Sequence, residues 1–221
     1  YWPTITSDDV SYLLDASAKR FSVSPLTKAA VVSAWSGVRP LVAEEGKSAS
    51  EISRKDEIWT GPGGVLSIAG GKLTAYRMMA ERIVDLAETR LGRKAKAPAT
   101  AEEPLIGGDL NVASTVSASG PDGDRLVGLY GSEAPEIFAA GGGPAIEARH
   151  AVLHEGALTL EDYWVRRSAR AWFDTDGGLG ALAPAAEAMA GLLGWSETET
   201  QRQISLCQTT QRDNLAALED A

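Results

Sequence analysis

The stretch SIAGGKLTAYRMMAERIVDLAETRL, Ser67–Leu91, decides how this chain is read. An apolar run, Val65-Leu66-Ser67-Ile68-Ala69, leads into Gly70 and Gly71 and then Lys72. Beyond Lys72, the apolar residues Leu73, Tyr76, Ala80, Ile83, Val84, Ala87 and Leu91 recur at helical spacing. Arg77, Glu81, Arg82, Asp85 and Glu88 fall on the other side. The pattern predicts strand, glycine turn and helix.

That geometry has a chemical use. The first turn of a helix carries backbone N–H groups without internal partners, and the macrodipole adds partial positive charge there. Gly70 and Gly71 lack the Cβ atoms that would hold a ligand away from the backbone, and Lys72 adds a full positive charge. An oxygen bearing negative charge can be held at Gly71–Thr74. The same residues also describe a plain strand-to-helix connection with a solvated lysine. A P-loop is excluded: Leu66 stands where its first glycine belongs, and Leu73 stands where Ser or Thr must follow the lysine.

Upstream, residues 29–42, AAVVSAWSGVRPLV, are apolar and β-branched, so 31–38 is expected as a strand. Pro40 holds Arg39 in an extended backbone conformation. An arginine at the end of a buried strand needs an anionic partner, either a carboxylate of this chain or a bound substrate. Residues 43–50 are expected as a loop. Ser50–Thr60 is expected as a strand with Arg54 between the apolar anchors Ile52 and Ile58, turning at Gly61–Gly64 into Val65–Ala69. In this picture Arg39, Arg54 and Lys72 converge. Three cations suit a dianion such as a phosphate monoester. Arg54 on an exposed strand face is the other reading of that residue.

Near the start, Thr6 is placed to cap a helix whose first turn holds Asp8 and Asp9. After Gly92, Arg93–Pro104 has no apolar period and reads as a linker, and 105–119 stays irregular. From 121 the text is helical. Helices are expected from Asp122 to Gly131, from Ser132 to Gly141, from Pro144 to Glu155, and from Thr159 through Trp164, Trp172 and Phe173. Leu158 and Tyr163 are spaced as a hydrophobic staple on the last of these. After a loop at 174–180 come Pro184–Leu193 and a final helix opened by Ser196-x-x-Glu199. Arg166 and Arg167 are expected to pair with Glu147, Glu155 or Asp162. His150 and His154 are one turn apart, but no third ligand follows with metal spacing, so no metal site is expected.

The composition bounds the rest. The chain has 221 residues and a formal charge of −9, which argues against nucleic acid as a partner while leaving room for a local cationic pocket. The one cysteine, Cys207, excludes an internal disulfide and suits a reducing, cytoplasmic setting. No apolar run approaches about 18 residues, so no transmembrane helix and no signal peptide are expected.

Gly70-Gly71-Lys72-Leu73-Thr74-Ala75-Tyr76-Arg77 resembles the GGKLTxYR segment of FAD-dependent glycerol-3-phosphate dehydrogenases. Gly37-Val38-Arg39-Pro40-Leu41 is similar to that family's GVRPL segment, and Ser53-Arg54 to an S-R pair between the two. Glu147–Ala151, Glu155 and Leu160–Arg167 resemble its all-helical C-terminal domain, with Ser168 where the family usually has threonine.

The resemblance implies an α+β fold: the C-terminal remnant of a flavin and substrate domain over 1–92, a linker over 93–120 and an all-α domain over 121–221. It implies FAD as cofactor in a longer parent, since the Gly-x-Gly-x-x-Gly dinucleotide turn is not found here, and an inactive fragment when taken alone. It implies oxidation of glycerol 3-phosphate to dihydroxyacetone phosphate, with a quinone or another acceptor receiving the electrons. Arg39 and Lys72 would be catalytic and would bind substrate with Arg54. Gly70, Gly71, Lys72, Leu73 and Thr74 would contact the flavin. A homodimer and a peripheral contact with the inner face of the cytoplasmic membrane go with the family reading. Two alternatives stand beside it: a related FAD-dependent enzyme acting on another hydroxy or amino acid, and a helical interaction domain without activity of its own.

Overall fold

The computed structural model describes residues 3–22, 24–38, 42, 55–94, 96–109 and 121–219. By internal contacts the chain forms two compact units, residues 1–37 with 106–221, and residues 38–105.

Helix α1, Ser7–Arg20, begins as Thr6 dictates. The Thr6 hydroxyl accepts from the Asp9 amide at 3.2 Å, and the Asp9 carboxylate accepts from the Thr6 amide at 3.0 Å. The two bonds satisfy two of the amides a helix start leaves open. A single 3₁₀ turn, Lys28–Ala30, follows. The strand expected over 31–38 does not form. Those residues run without ladder partners among the described residues, and their side chains decide their course: Trp35 stacks on Trp172 with centroids 5.1 Å apart, and Ser33 donates to the Trp172 carbonyl at 2.5 Å. Side-chain contacts hold this apolar, β-branched run without a sheet, and Val32, Trp35 and Val38 remain exposed.

In the unit 38–105, β1 (Asp56–Thr60) and β2 (Leu66–Gly70) pair antiparallel, with Asp56 opposite Gly70 and Thr60 opposite Leu66. Residues 50–54 of the expected first strand, and the loop expected over 43–50, lie outside the described residues. The connection is a 3₁₀ turn at Pro62–Gly64, with Gly63 and Gly64 at positive φ. After Gly71 and Lys72 a 3₁₀ turn, Leu73–Ala75, runs into α2, Tyr76–Arg90. Strand, glycine turn and helix thus follow in the expected order. Arg82 bonds to Asp56, and Arg90 donates to the Gly64 carbonyl at 2.9 Å and bonds to Thr60, tying the helix to the hairpin. No residue of this unit is buried among those described.

The helical region carries the core. It comprises α3 (Pro121–Tyr130), α4 (Ala134–Ala139), α5 (Gly143–His154), α6 (Arg170–Phe173), α7 (Leu179–Leu193) and α8 (Glu197–Glu219). Ala148, Ala151, Leu160, Tyr163, Trp164, Leu182, Ala185, Ala186, Met189 and Cys207 pack into one buried cluster. Small residues on facing helices, Ala148 and Ala151 against Ala185 and Ala186, let α5 and α7 approach closely. Helix α1 is anchored here too: Ser7 and Lys28 both donate to the Ala217 carbonyl, at 3.2 and 3.3 Å.

Three expectations need correction. The single helix from Thr159 to Phe173 is broken. Its middle, Asp162–Arg167, is a π-helical turn, and Ala169 sits in the left-handed region at φ 52° before α6 starts. Ser168 is the cause at hand: its amide and hydroxyl both bond to the Tyr163 carbonyl, at 2.8 and 2.9 Å, closing a wide turn. The Leu158–Tyr163 staple does not form, since Leu158 is exposed while Tyr163 is wholly buried. Helix α7 begins at Leu179, not Pro184. Pro184 lies within it, and the helix opens at left-handed Gly178, whose amide donates to the Asp176 carboxylate at 2.8 Å.

Candidate functional site

The glycine turn is built by β2 and the start of α2. Gly70 has φ 77° and Gly71 φ 81°, a left-handed pair that L side chains rarely adopt. A Cβ on Gly70 would stand 2.6 Å from the Lys55 carbonyl oxygen, and one on Gly71 would stand 2.6 Å from the Met79 sulfur and 3.1 Å from the Asp56 Cβ. These glycines therefore let the chain pass close to its own neighbours as well as reverse direction. On the sequence reading the missing Cβ atoms make room for a ligand; the space they would fill holds Lys55, Met79 and Asp56.

Lys72 flanks the 3₁₀ turn with an extended backbone, φ −107° and ψ 143°, and its side chain is exposed. Among the described residues no hydrogen bond or ion pair engages its ammonium group. The helix start carries no side-chain cap and no acidic residue in its first turn. Leu73 and Thr74 are exposed beside Lys72. This edge thus offers one full positive charge and the amides of an uncapped helix start, which is donor chemistry for an electron-rich oxygen. Arg39 and Arg54, the other cations expected at the site, lie outside the described residues.

The fold assembles a second polar constellation around Glu147, with Arg125 and Arg170 in place of the expected Arg166 and Arg167. Glu147 is wholly buried on α5 and accepts from Arg125 Nη1 and Nη2 at 2.9 and 2.5 Å, from Arg170 Nη2 at 2.9 Å and from the Tyr130 hydroxyl at 3.3 Å. Arg170 also pairs with Asp174 at 2.8 Å. Burial alone would push the Glu147 carboxyl up, but bonds and charge from Arg125, then Arg170, hold it below the usual carboxylate range. Burial and the Glu147 charge push the Tyr130 hydroxyl far up, and push that of Tyr163 up to about 12. The groups are spread over 45 positions in sequence, at 125, 130, 147 and 170, and no local period announces them.

The expected partners of the paired arginines are met in part. Arg166 binds Asp162 at 3.0 Å and Glu161 at 2.5 Å. Arg167 donates twice to the backbone carbonyl of Glu155, at 3.0 and 2.7 Å, closing the end of α5 instead of pairing with a carboxylate. The His150 and His154 rings lie 4.8 Å apart, and His150 Nε2 is 3.7 Å from Glu133. No group of three metal-binding side chains occurs among the described residues. An apolar cleft of about 650 Å³ in the first unit is lined by Ile5, Val10, Leu13, Trp35 and Leu218.

Comparison with known proteins places this architecture. Residues 98–200 match the family described as the C-terminal domain of alpha-glycerophosphate oxidase. The aerobic glycerol-3-phosphate dehydrogenase of Bacillus subtilis is 38% identical over 203 residues, covering 78% of this chain and 37% of that protein. The enzyme of the same name from Staphylococcus epidermidis is 35% identical over 235 residues, covering 90% of this chain and 41% of that protein. Among solved structures, the glycerol-3-phosphate dehydrogenase from Bacillus halodurans complexed with FAD matches with a TM-score of 0.74 at 28% identity, covering 99% of this chain and 47% of that one. Residues 98–200 thus carry the C-terminal domain of the alpha-glycerophosphate oxidase family, and the chain is similar to glycerol-3-phosphate dehydrogenases over most of its length. It spans about two fifths of the length of the curated relatives it matches.

Proposed function

We propose that this chain serves in a flavoenzyme that oxidises sn-glycerol 3-phosphate to dihydroxyacetone phosphate and passes the electrons to a quinone. The observation that carries this reading is the Gly70–Arg77 segment, which combines the family's residues with an exposed lysine beside an uncapped helix start. Relatives bear the name of that activity, and the solved relative is complexed with FAD. FAD, when bound, supplies the two-electron acceptor.

The roles follow from charge and geometry. The amides around Gly71–Thr74 would hold the cofactor by donating to an electron-rich oxygen of it, and would favour negative charge there. Lys72 holds an oxygen of the substrate at that edge. Arg39 binds the phosphate or polarises the C2 oxygen, and Arg54 adds a second phosphate contact. Residues 1–92 are assigned to the flavin and substrate domain, 93–120 to a linker and 121–221 to the helical domain. A site on the inner face of the cytoplasmic membrane suits a lipid-dissolved acceptor, and a homodimer is compatible with it.

The test uses the full-length protein with glycerol 3-phosphate and a reducible dye. Reduction with glycerol 3-phosphate and not with glycine is expected. Arg39→Ala abolishes reduction of the flavin by substrate while FAD stays bound; an unchanged rate removes the role given to Arg39. The 221 residues alone are expected to retain FAD weakly or not at all, and stoichiometric flavin colour in that preparation would contradict this.

A further inference from the structure

We propose that Asp56 and Arg82 are positioning residues for the cofactor edge at Gly71–Thr74: Arg82 takes up a carboxylate that would otherwise stand as an unpaired negative charge behind that edge, and the bond holds α2 against β1. The inference rests on the reading of this edge, given above, as the place where FAD is held. The first ground is the position of Asp56. It opens β1, stands opposite Gly70 in the ladder, and with Ile58 forms the partly buried face of the strand. A Cβ on Gly71 would stand 3.1 Å from the Asp56 Cβ. A carboxylate on the half-buried face of a strand, beside amides suited to an electron-rich oxygen, needs a partner to be held there.

The second ground is the partner it takes. Arg82 Nη2 donates to Asp56 Oδ2 across 26 positions of sequence, passing over Asp85 on its own helix. That bond holds the Asp56 carboxyl below its ordinary range, so the group is an anion and Arg82 its counter-charge. Arg82 lies one helical turn after Met79, whose sulfur would meet a Cβ on Gly71 at 2.6 Å. Met79 and Arg82 thus reach Gly71 and Asp56 from one face of α2. Strand, turn and helix close a circuit of side chains around the glycine pair.

The third ground is electrostatic. The Arg82 side chain is 53% exposed and that of Asp56 14%, and an ion pair with one exposed member contributes little to stability. Its effect lies in the charge it leaves beside the turn. With Asp56 paired to Arg82, the Gly71–Thr74 amides and the Lys72 ammonium are left to face a ligand, and Lys72 takes no partner of its own among the described residues. Without Arg82, the carboxylate would draw on the same donors and oppose negative charge on the cofactor.

The test uses the full-length protein and two readouts that need no turnover, the dissociation constant of FAD and the midpoint potential of the bound FAD. Arg82→Ala should weaken FAD binding about tenfold or more and lower the potential, the sign expected of an unpaired carboxylate beside the turn. Asp56→Asn should raise the potential. The double variant should return FAD affinity to within about threefold of the unaltered protein, because removing both charges restores the balance. Arg82→Lys keeps the charge and loses the planar fork, so it should fall between the unaltered protein and Arg82→Ala. Shifts of the same sign in Arg82→Ala and Asp56→Asn would describe loosened packing alone and overturn the inference, and so would unchanged affinity and potential in Arg82→Ala. Should Arg82→Ala not fold, unchanged potentials in Asp56→Asn and Arg82→Lys overturn it. A protein that shows these shifts in its bound FAD and does not oxidise glycerol 3-phosphate removes the proposed activity and keeps the pair. A protein that takes up no FAD overturns both.

Discussion

Glu147 and Arg125 form a two-point ion pair, with oxygen–nitrogen distances of 2.9 and 2.5 Å, across the buried junction of α3 and α5. The carboxylate is fully removed from solvent and the guanidinium keeps an exposed edge. Arg170 approaches the same carboxylate from α6, so three helices that are distant in sequence meet at one charge. Neither arginine can lose this partner without leaving charge in a poorly solvated place.

Glu147→Ala therefore leaves two guanidinium groups without their shared anion. A loss of about 3–5 kcal/mol in unfolding free energy is expected. Arg125→Ala costs less, because Arg170 still holds the carboxylate. Urea titration of the two variants measures the order, and equal losses would show that Arg170 does not compensate.

Acid should weaken the same junction. The Glu147 carboxyl is held below the ordinary value of 4.5, because the bonds and charge of Arg125 and Arg170 outweigh its burial. Its stabilising contribution is complete above 4.5 and is lost as pH falls through the folded value. The acid limb of the stability curve should flatten in Glu147→Gln.

Glu155 works in the opposite sense. Burial raises its carboxyl above 4.5, and its Oε2 lacks a hydrogen-bond partner among the described residues. A raised carboxyl favours the fold below pH 4.5, and that contribution disappears as pH rises through the folded value. Glu155→Gln should melt higher than the parent at pH 7, and the difference should close as pH falls below 4.5. A lower melting temperature at pH 7 would mean that the charge of Glu155 is used.

Cys207 is buried in the helical core, and burial pushes its thiol up to about 12. At pH 8 the folded protein should react with a thiol reagent orders of magnitude more slowly than the urea-unfolded chain, since both access and thiolate are lacking. Rapid labelling of the folded chain would place Cys207 at an opening, not in the core.

Ala169 holds φ 52° between the π-helical turn and α6, a position that suits glycine. Ala169→Gly should stabilise the chain by about 0.5–1 kcal/mol, through relief of the left-handed penalty. Chemical denaturation reads this as a higher midpoint at unchanged slope.

The sequence by itself determined the elements whose signals are local. Thr6 and Asp9 cap α1, Gly131 and the run Gly141–Gly143 punctuate the helices around them, and Gly70-Gly71-Lys72 turns a strand into a helix, because caps, left-handed glycines and periodicity act within a few residues. The motifs around Gly70–Arg77 also pointed to the family. Only the tertiary structure decided the rest. Residues 31–38 follow Trp172 in place of a sheet, Ser168 breaks a helix that its period would continue, and Arg125, Tyr130, Glu147 and Arg170 close a network over 45 positions. Long-range packing has no period to read, since its energy lies in which distant surfaces fit and not in the spacing of neighbours.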